Sequence, residues 1–260
     1  MRPRKRFGQH FLHDPAVVQR IVSAIAPRAD EHIVEIGPGR GVLTHALLAL
    51  PHASLDAIEI DRDLAATLAR ELAAPAARLH AADALEFDFG ALARAHGGRL
   101  RIVGNLPYNI STPLLFHLVA NADSLVDLHL MLQREVVARI AARPGSSDYG
   151  RLTVMLARRL SAERLFDIGP GAFQPPPRVW SGLVRLKVRE RPAFEAGPLF
   201  AEIVATAFSH RRKTLRNALQ SRLTAAQIEA CGIDPGVRPE TLAPESFAAL
   251  ARVAAAASIG

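Results

Sequence analysis

The chain has 260 residues, 49% hydrophobic and 22% charged, which supplies apolar material for one sizeable core plus a smaller unit and argues against a disordered chain. Lys and Arg number 32 against 25 Asp and Glu, a formal charge of +7 that suits a polyanionic partner, although solubility alone explains such a balance equally well. A lone cysteine, Cys231, excludes an intrachain disulfide and a cysteine zinc cluster, and no apolar run is long enough to span a membrane.

The start, Met1-Arg2-Pro3-Arg4-Lys5-Arg6, is basic like the head of a secretory signal. Gln9, His10, His13, Asp14, Gln19 and Arg20 interrupt any apolar segment behind it, so a cytoplasmic protein is expected. A β-branched run over 33–36 ends in glycines and leads into a helix over 42–50. Strands are then predicted over 54–60, 78–80, 100–103 and 125–132, with helices over 64–72, 113–120 and 135–142. Pro113 is acceptable in the first turn of its helix. This rhythm predicts an α/β domain with a doubly wound parallel sheet and helices on both faces. Two further strands over 165–168 and 183–188 flank a loop at 169–177. From Leu199 onward the apolar spacing is helical, so a boundary near residue 190 is expected, dividing a domain over 1–190 from a small all-helical one over 191–260.

Glu35-Ile36-Gly37-Pro38-Gly39-Arg40-Gly41 joins the first of these strands to its helix, and glycines there let a ligand approach the strand end without meeting a Cβ. A phosphate-binding P-loop requires Gly-Lys-Ser/Thr, but Val42 and Leu43 follow Gly41. The dinucleotide fingerprint fits Gly37 and Gly39 but fails at Val42, where close helix packing needs Gly or Ala. What remains is E-x-G-x-G-x-G, the pattern of S-adenosylmethionine methyltransferases. Glu59, ending the next strand, can accept hydrogen bonds from a ribose diol, and Asp83 can accept from an adenine amine. Either acid alone is as readily a solvated residue or a helix cap; at consecutive strand ends they describe a nucleoside crevice.

Gly104-Asn105-Leu106-Pro107-Tyr108 follows the fourth strand, where that crevice continues. The N6 amine of adenine is a poor nucleophile because its lone pair is delocalised into the ring. The Asn105 side-chain oxygen and the Leu106 carbonyl could accept both of its protons and favour the pyramidal nitrogen that forms during attack. Pro107 stiffens the turn, and Tyr108 can stack on a base taken out of its helix. The string by itself is also an ordinary loop.

With these residues the chain resembles the ribosomal RNA adenine N6,N6-dimethyltransferase family, in its bacterial 16S branch. The likeness runs almost end to end. It takes in Arg4 through Leu12, Glu35 through Thr44, Asn105-Leu106-Pro107-Tyr108-Asn109-Ile110-Ser111-Thr112-Pro113 and Met131-Leu132-Gln133-Arg134-Glu135-Val136. Tyr149-Gly150-Arg151-Leu152, Phe173-Gln174-Pro175-Pro176-Pro177-Arg178-Val179 and Arg211-Arg212-Lys213-Thr214-Leu215-Arg216-Asn217 complete it. The resemblance implies a Rossmann-like methyltransferase sheet and dimethylation of two adjacent adenines near the 3′ end of 16S rRNA. The implied partner is a 30S assembly intermediate, with no membrane; the chain is expected to act as a monomer.

S-adenosylmethionine is the implied donor and S-adenosylhomocysteine the product, with no metal. Carried onto matching positions, cofactor contacts fall at His10, Leu12, Gly37, Glu59, Asp83 and Asn105, with Gly39 in the same loop. Two departures stand out: His10 replaces the family's asparagine, and Ser209-His210 replaces Asn-Gln before the basic string. Arg211, Arg212, Lys213 and Arg216 crowd one predicted helix, and Arg4, Lys5 and Arg6 lie at the other end; such clusters suit phosphates, or are simply solvated. Three rivals are disfavoured: a 23S rRNA methylase of the macrolide-resistance kind by Leu106 and the string from Gln174 to Val179, an assembly or transcription factor that lost activity by the intact Asn105, Tyr108, Glu59 and Asp83, and an NAD-dependent oxidoreductase by Val42.

Overall fold

A computed structural model describes residues 9–72, 77–209 and 212–257. Arg4, Lys5, Arg6 and Arg211 therefore lie outside the described residues. The chain forms two compact units, Met1–Val137 with Ala162–Val188, and Ala138–Ser161 with Arg189–Gly260.

The first unit opens with a two-residue strand, β1 (Phe11–Leu12), and helix α1 (Pro15–Ile25). Asp14 starts that helix by accepting from the N–H groups of Ala16 and Val17, and Pro15 occupies its first turn. Its buried residues, Val18, Ile21, Val22 and Ile25, recur at helical spacing and join Leu43, Leu47 and Ile33 in one core. The alternation continues through β2 (His32–Ile36), α2 (Val42–Leu48), β3 (Ser54–Ile58), α3 (Arg62–Glu71), β4 (Ala77–His80), α4 (Phe89–His96), β5 (Leu100–Asn105), α5 (Ser111–Ala120) and β6 (Leu125–Gln133). Helices α6 (Arg134–Ile140) and α7 (Arg151–Ala157) precede β7 (Leu160–Ile168), β8 (Phe173–Gln174) and β9 (Ser181–Val188). The sequence expectation omitted α1, α4 and α7.

The large sheet has the order β4-β3-β2-β5-β6-β9-β7. Strands β2 to β6 pair in parallel, whereas β9 runs antiparallel to β6. The sheet is thus mixed rather than all parallel. The connection from β7 to its neighbour β9 holds only a short 3-10 turn and β8, with no crossover helix. Strand order reverses between β2 and β5, which opens a crevice at their carboxyl ends.

Buried charges knit the first unit. Arg101 on β5 donates twice to Asp127 on β6, at 2.9 Å each, and once to Glu31 at 2.6 Å. On β3, Asp56 is fully buried and accepts from His80 and His96, at 2.7 Å each. Burial opposes its ionisation, yet these two hydrogen bonds hold its carboxyl below the usual range.

The second unit is helical: α8 (Phe200–Ser209), α9 (Leu215–Leu219), α10 (Ala225–Glu229) and α11 (Pro244–Ala257) surround Ile203, Val204, Leu219 and Phe247. Tyr149 and Val154, which precede the expected boundary by some forty residues, are buried in this same core. Tyr149 also donates to the Leu242 carbonyl at 2.8 Å. Residues 138–161 thus join the C-terminal helices, because their apolar side chains are buried there, and a single cut near 190 misses this excursion. No helix among the described residues is long and apolar enough to cross a membrane.

Candidate active site

The glycine loop leaves β2 at the reversal point. Gly39 has φ +58°, a left-handed conformation, and a Cβ there would lie 3.0 Å from the Phe11 ring. Glycine is therefore required twice over, by backbone and by space. Arg40 lays its guanidinium over the other partner of this contact, 4.7 Å from the Phe11 ring centre. The loop is tied to β3 through the Gly37 N–H, which donates to the Ile58 carbonyl at 2.9 Å.

Two buried acids lie under this loop. Glu59 accepts from Gly39 N–H at 3.1 Å through one oxygen and from Asp61 N–H at 2.9 Å through the other. A carboxylate has about four acceptor positions, so each oxygen keeps capacity for a hydroxyl donor. Burial pushes its pKa up despite these bonds. Glu35 accepts from the Thr44 hydroxyl at 2.6 Å, and burial, with the nearby Glu59 charge, pushes it up to about 7. Asp83 spends one oxygen on the Leu85 N–H at 2.9 Å.

Asn105 ends β5. Its Nδ2 donates to the His10 main-chain carbonyl at 2.9 Å, which assigns the amide orientation and leaves Oδ1 as an acceptor. A Cβ on the preceding Gly104 would stand 2.6 Å from the Ile36 carbonyl, so only glycine lets β5 approach β2 this closely. The Pro107 carbonyl is taken by Ile110 N–H at 3.2 Å, whereas that of Leu106 accepts no bond among the described residues. Tyr108 shares a 2.9 Å hydrogen bond with the Ser181 hydroxyl, and its ring stacks on His10 with centroids 5.8 Å apart. His10 Nδ1 donates to the Pro175 carbonyl at 2.7 Å. Next to it, β1 pairs antiparallel with β8, fastening this segment beside the site.

One cavity of about 900 Å³, its open mouth included, gathers His10, Gly37, Gly39, Glu59, Asp83 and Asn105 through Tyr108. Leu12 is buried and lines a smaller adjoining cavity with Glu35 and Arg40. Sequence reasoning missed Phe11 and Ile60, which both line the large cavity. Ile60 carried a signal: an isoleucine directly after a strand-end acid, 46% exposed in the fold. The wall chemistry suits an adenosine: apolar Ile36, Ile58 and Ile60 for a flat ring, carboxylates for hydroxyls and an amine, and a glycine cradle for the remainder.

The basic string is arranged differently from its expectation. Arg212 and Lys213 lie in a turn and Thr214 is extended, so only Arg216 belongs to helix α9. The first N–H groups of that helix are satisfied from outside, Leu215 by the Val237 carbonyl at 2.7 Å and Arg216 by that of Pro235 at 3.0 Å. Thr214 favours this start because it disfavours helix interiors. Arg212, Lys213 and Arg216 are exposed and form no ion pair among the described residues; Glu202 pairs with Arg222 instead. No group of three or more potential metal ligands occurs among the described residues.

A glycine loop at the reversal point of such a sheet, with acids at successive strand ends, defines a methyltransferase of the Rossmann-like class. The chain belongs to the ribosomal RNA adenine dimethylase family, whose pattern matches residues 1–256. It is 53% identical over 252 residues to "Ribosomal RNA small subunit methyltransferase A" of Thiobacillus denitrificans, covering 95% of this chain and 96% of the relative. It is also 53% identical to the protein of that name from Nitrosococcus oceani over 256 residues, 96% of each chain. Among solved structures it resembles a dimethyladenosine transferase from Plasmodium falciparum, with a TM-score of 0.78 at 22% identity, covering 93% of this chain and 96% of that one. The 23S rRNA methyltransferase ErmE aligns with a TM-score of 0.71 at 26% identity, covering 94% and 99%. Membership implies S-adenosylmethionine as the methyl donor.

Proposed function

We propose that the protein dimethylates N6 of two adjacent adenines near the 3′ end of 16S rRNA during assembly of the 30S subunit in the cytoplasm, as a monomer and without a metal. The observation that carries this reading is the Asn105 amide, held by the His10 carbonyl so that an acceptor oxygen stands at the wall of a nucleoside-sized cavity. Glu59 holds the cofactor's ribose, Asp83 its adenine amine, and the Gly37–Gly39 turn passes beneath the remainder, with His10 and Leu12 alongside. Bound S-adenosylmethionine supplies an electrophilic methyl on a sulfonium and leaves as S-adenosylhomocysteine. Asn105 and the Leu106 carbonyl accept from the N6 protons and stabilise the positive charge that develops as nitrogen attacks. Pro107 holds the carbonyl directions, and Tyr108 stacks the extruded adenine.

The unit of Arg189–Gly260 with Ala138–Ser161 docks RNA through Arg212, Lys213 and Arg216, joined by Arg211 and by Arg4, Lys5 and Arg6 of the N-terminal segment. Mass spectrometry of 16S and 23S rRNA from a deletion strain tests the assignment. Loss of dimethyladenosine from the 16S 3′ end is the expected result; unchanged 16S rRNA would overturn it.

A further inference from the structure

Among the described residues the exposed large apolar side chains are Ile60, Val126, Val179 and Trp180. Ile60 lines the cavity, and Val126 stands apart on β6. Val179 and Trp180 are adjacent, and Trp180, the chain's one tryptophan, is 48% exposed. Its backbone is held firmly, since Arg134 N–H donates to the Trp180 carbonyl at 2.9 Å. The indole rests over Gly169, where an added Cβ would lie 3.6 Å from the ring. The Arg134 guanidinium stands 5.9 Å from the ring centre, and Arg178 is exposed two residues away. Neither arginine pairs with a carboxylate among the described residues.

The next residue, Ser181, is the one whose hydroxyl bonds Tyr108. One step along the chain thus leads from the proposed target-base ring to an exposed indole flanked by two uncompensated cations. Flat apolar faces beside phosphate-seeking cations are the chemistry of single-stranded nucleic acid recognition. A base drawn out of its helix also leaves its neighbour short of a stacking partner.

We infer that Trp180 is a stacking platform for the nucleotide that flanks the target adenine, with Arg134 and Arg178 meeting its phosphates. This rests on the reading of Tyr108 as the target-base side of the cavity. Two variants test it on unmethylated small ribosomal subunits: Trp180→Leu keeps apolar bulk without a stacking face, and Trp180→Phe keeps the face. The Leu variant raises KM for subunits by roughly five- to a hundredfold, on KM rather than kcat, and the Phe variant recovers most of the loss. S-adenosylmethionine affinity stays at the wild-type value in both.

A Leu variant with unchanged KM would assign the patch to apolar contact with a protein and overturn the platform. A Phe variant as poor as Leu would overturn it too, because stacking would not be what was lost. Wild-type turnover on the same subunits separates the two readings. If the wild type methylates them while Trp180→Leu leaves KM unchanged, only the platform fails; if the wild type does not methylate them, the adenine reading fails and takes the platform with it.

Discussion

The side-chain nitrogen of Asn105 donates a 2.9 Å hydrogen bond to the main-chain carbonyl of His10, ninety-five residues earlier in the chain. This bond needs only the backbone of residue 10, so an asparagine or a histidine there serves equally. The His10 ring is then free for a second task, bridging to the Pro175 carbonyl and stacking on Tyr108. The departure of His10 from the family pattern therefore leaves the anchoring of Asn105 intact.

Replacing Asn105 with Ala removes the acceptor proposed to face the reacting amine, whose charge develops only in the transition state. Single-turnover methylation slows by about 10²–10³-fold, the scale for losing one preorganised polar group at a developing charge. RNA affinity, measured by titration in parallel, stays within about twofold. A variant as fast as the wild type would remove Asn105 from the chemistry.

Glu59→Ala weakens S-adenosylmethionine binding by about 1.5–3 kcal/mol in calorimetry, the range for hydrogen bonds to a charged group. Part of that loss comes from the Gly39 and Asp61 N–H groups, which lose their acceptor. Unaltered affinity would mean that another residue holds the ribose.

Glu35 makes stability fall as pH rises. Its folded pKa, about 7, exceeds the reference of 4.5, so between those values the native state binds more protons than the unfolded one. The stabilisation is fully present below 4.5 and lost by the time pH passes 7. Glu35→Gln abolishes this slope; relative to the variant, the wild type loses about 3 kcal/mol between pH 4 and pH 8. Urea unfolding across that range reads the difference directly, and parallel curves would refute a neutral buried Glu35.

Arg101→Ala strands Asp127 and Glu31 without their shared cation and costs about 3–5 kcal/mol in denaturant unfolding. Replacing all three by apolar residues of similar volume costs less, because no buried charge is left alone. A single variant as stable as the wild type would show that water already solvates this cluster.

The double variant Arg212→Gln with Arg216→Gln weakens matched and mismatched RNA alike. Each lost phosphate contact flattens the log-affinity against log-salt slope by roughly 0.7–0.9. An unaltered slope in a folded variant would leave RNA docking to other residues.

Local chemistry made the glycine loop and the acids that line the cavity readable from the chain alone. Gly39 must be glycine for its own backbone, and Glu59 and Asp83 follow their strands at short range, so the crevice is written in contiguous segments. The strands from β2 to β6 were legible for the same reason, since apolar period and turn residues act within a few positions. Other features depend on partners distant in sequence. Arg212 left the predicted helix because the carbonyls of Pro235 and Val237 cap α9 from outside. Residues 138–161 joined the C-terminal core because Tyr149 and Val154 are buried among its helices. Strand β9 turned antiparallel for want of a crossover helix, and Phe11 met the glycine loop only through the pairing of β1 with β8. Hydrogen-bond satisfaction and burial are set by whatever the whole fold brings near; no local pattern encodes them, and the tertiary structure alone decided these placements.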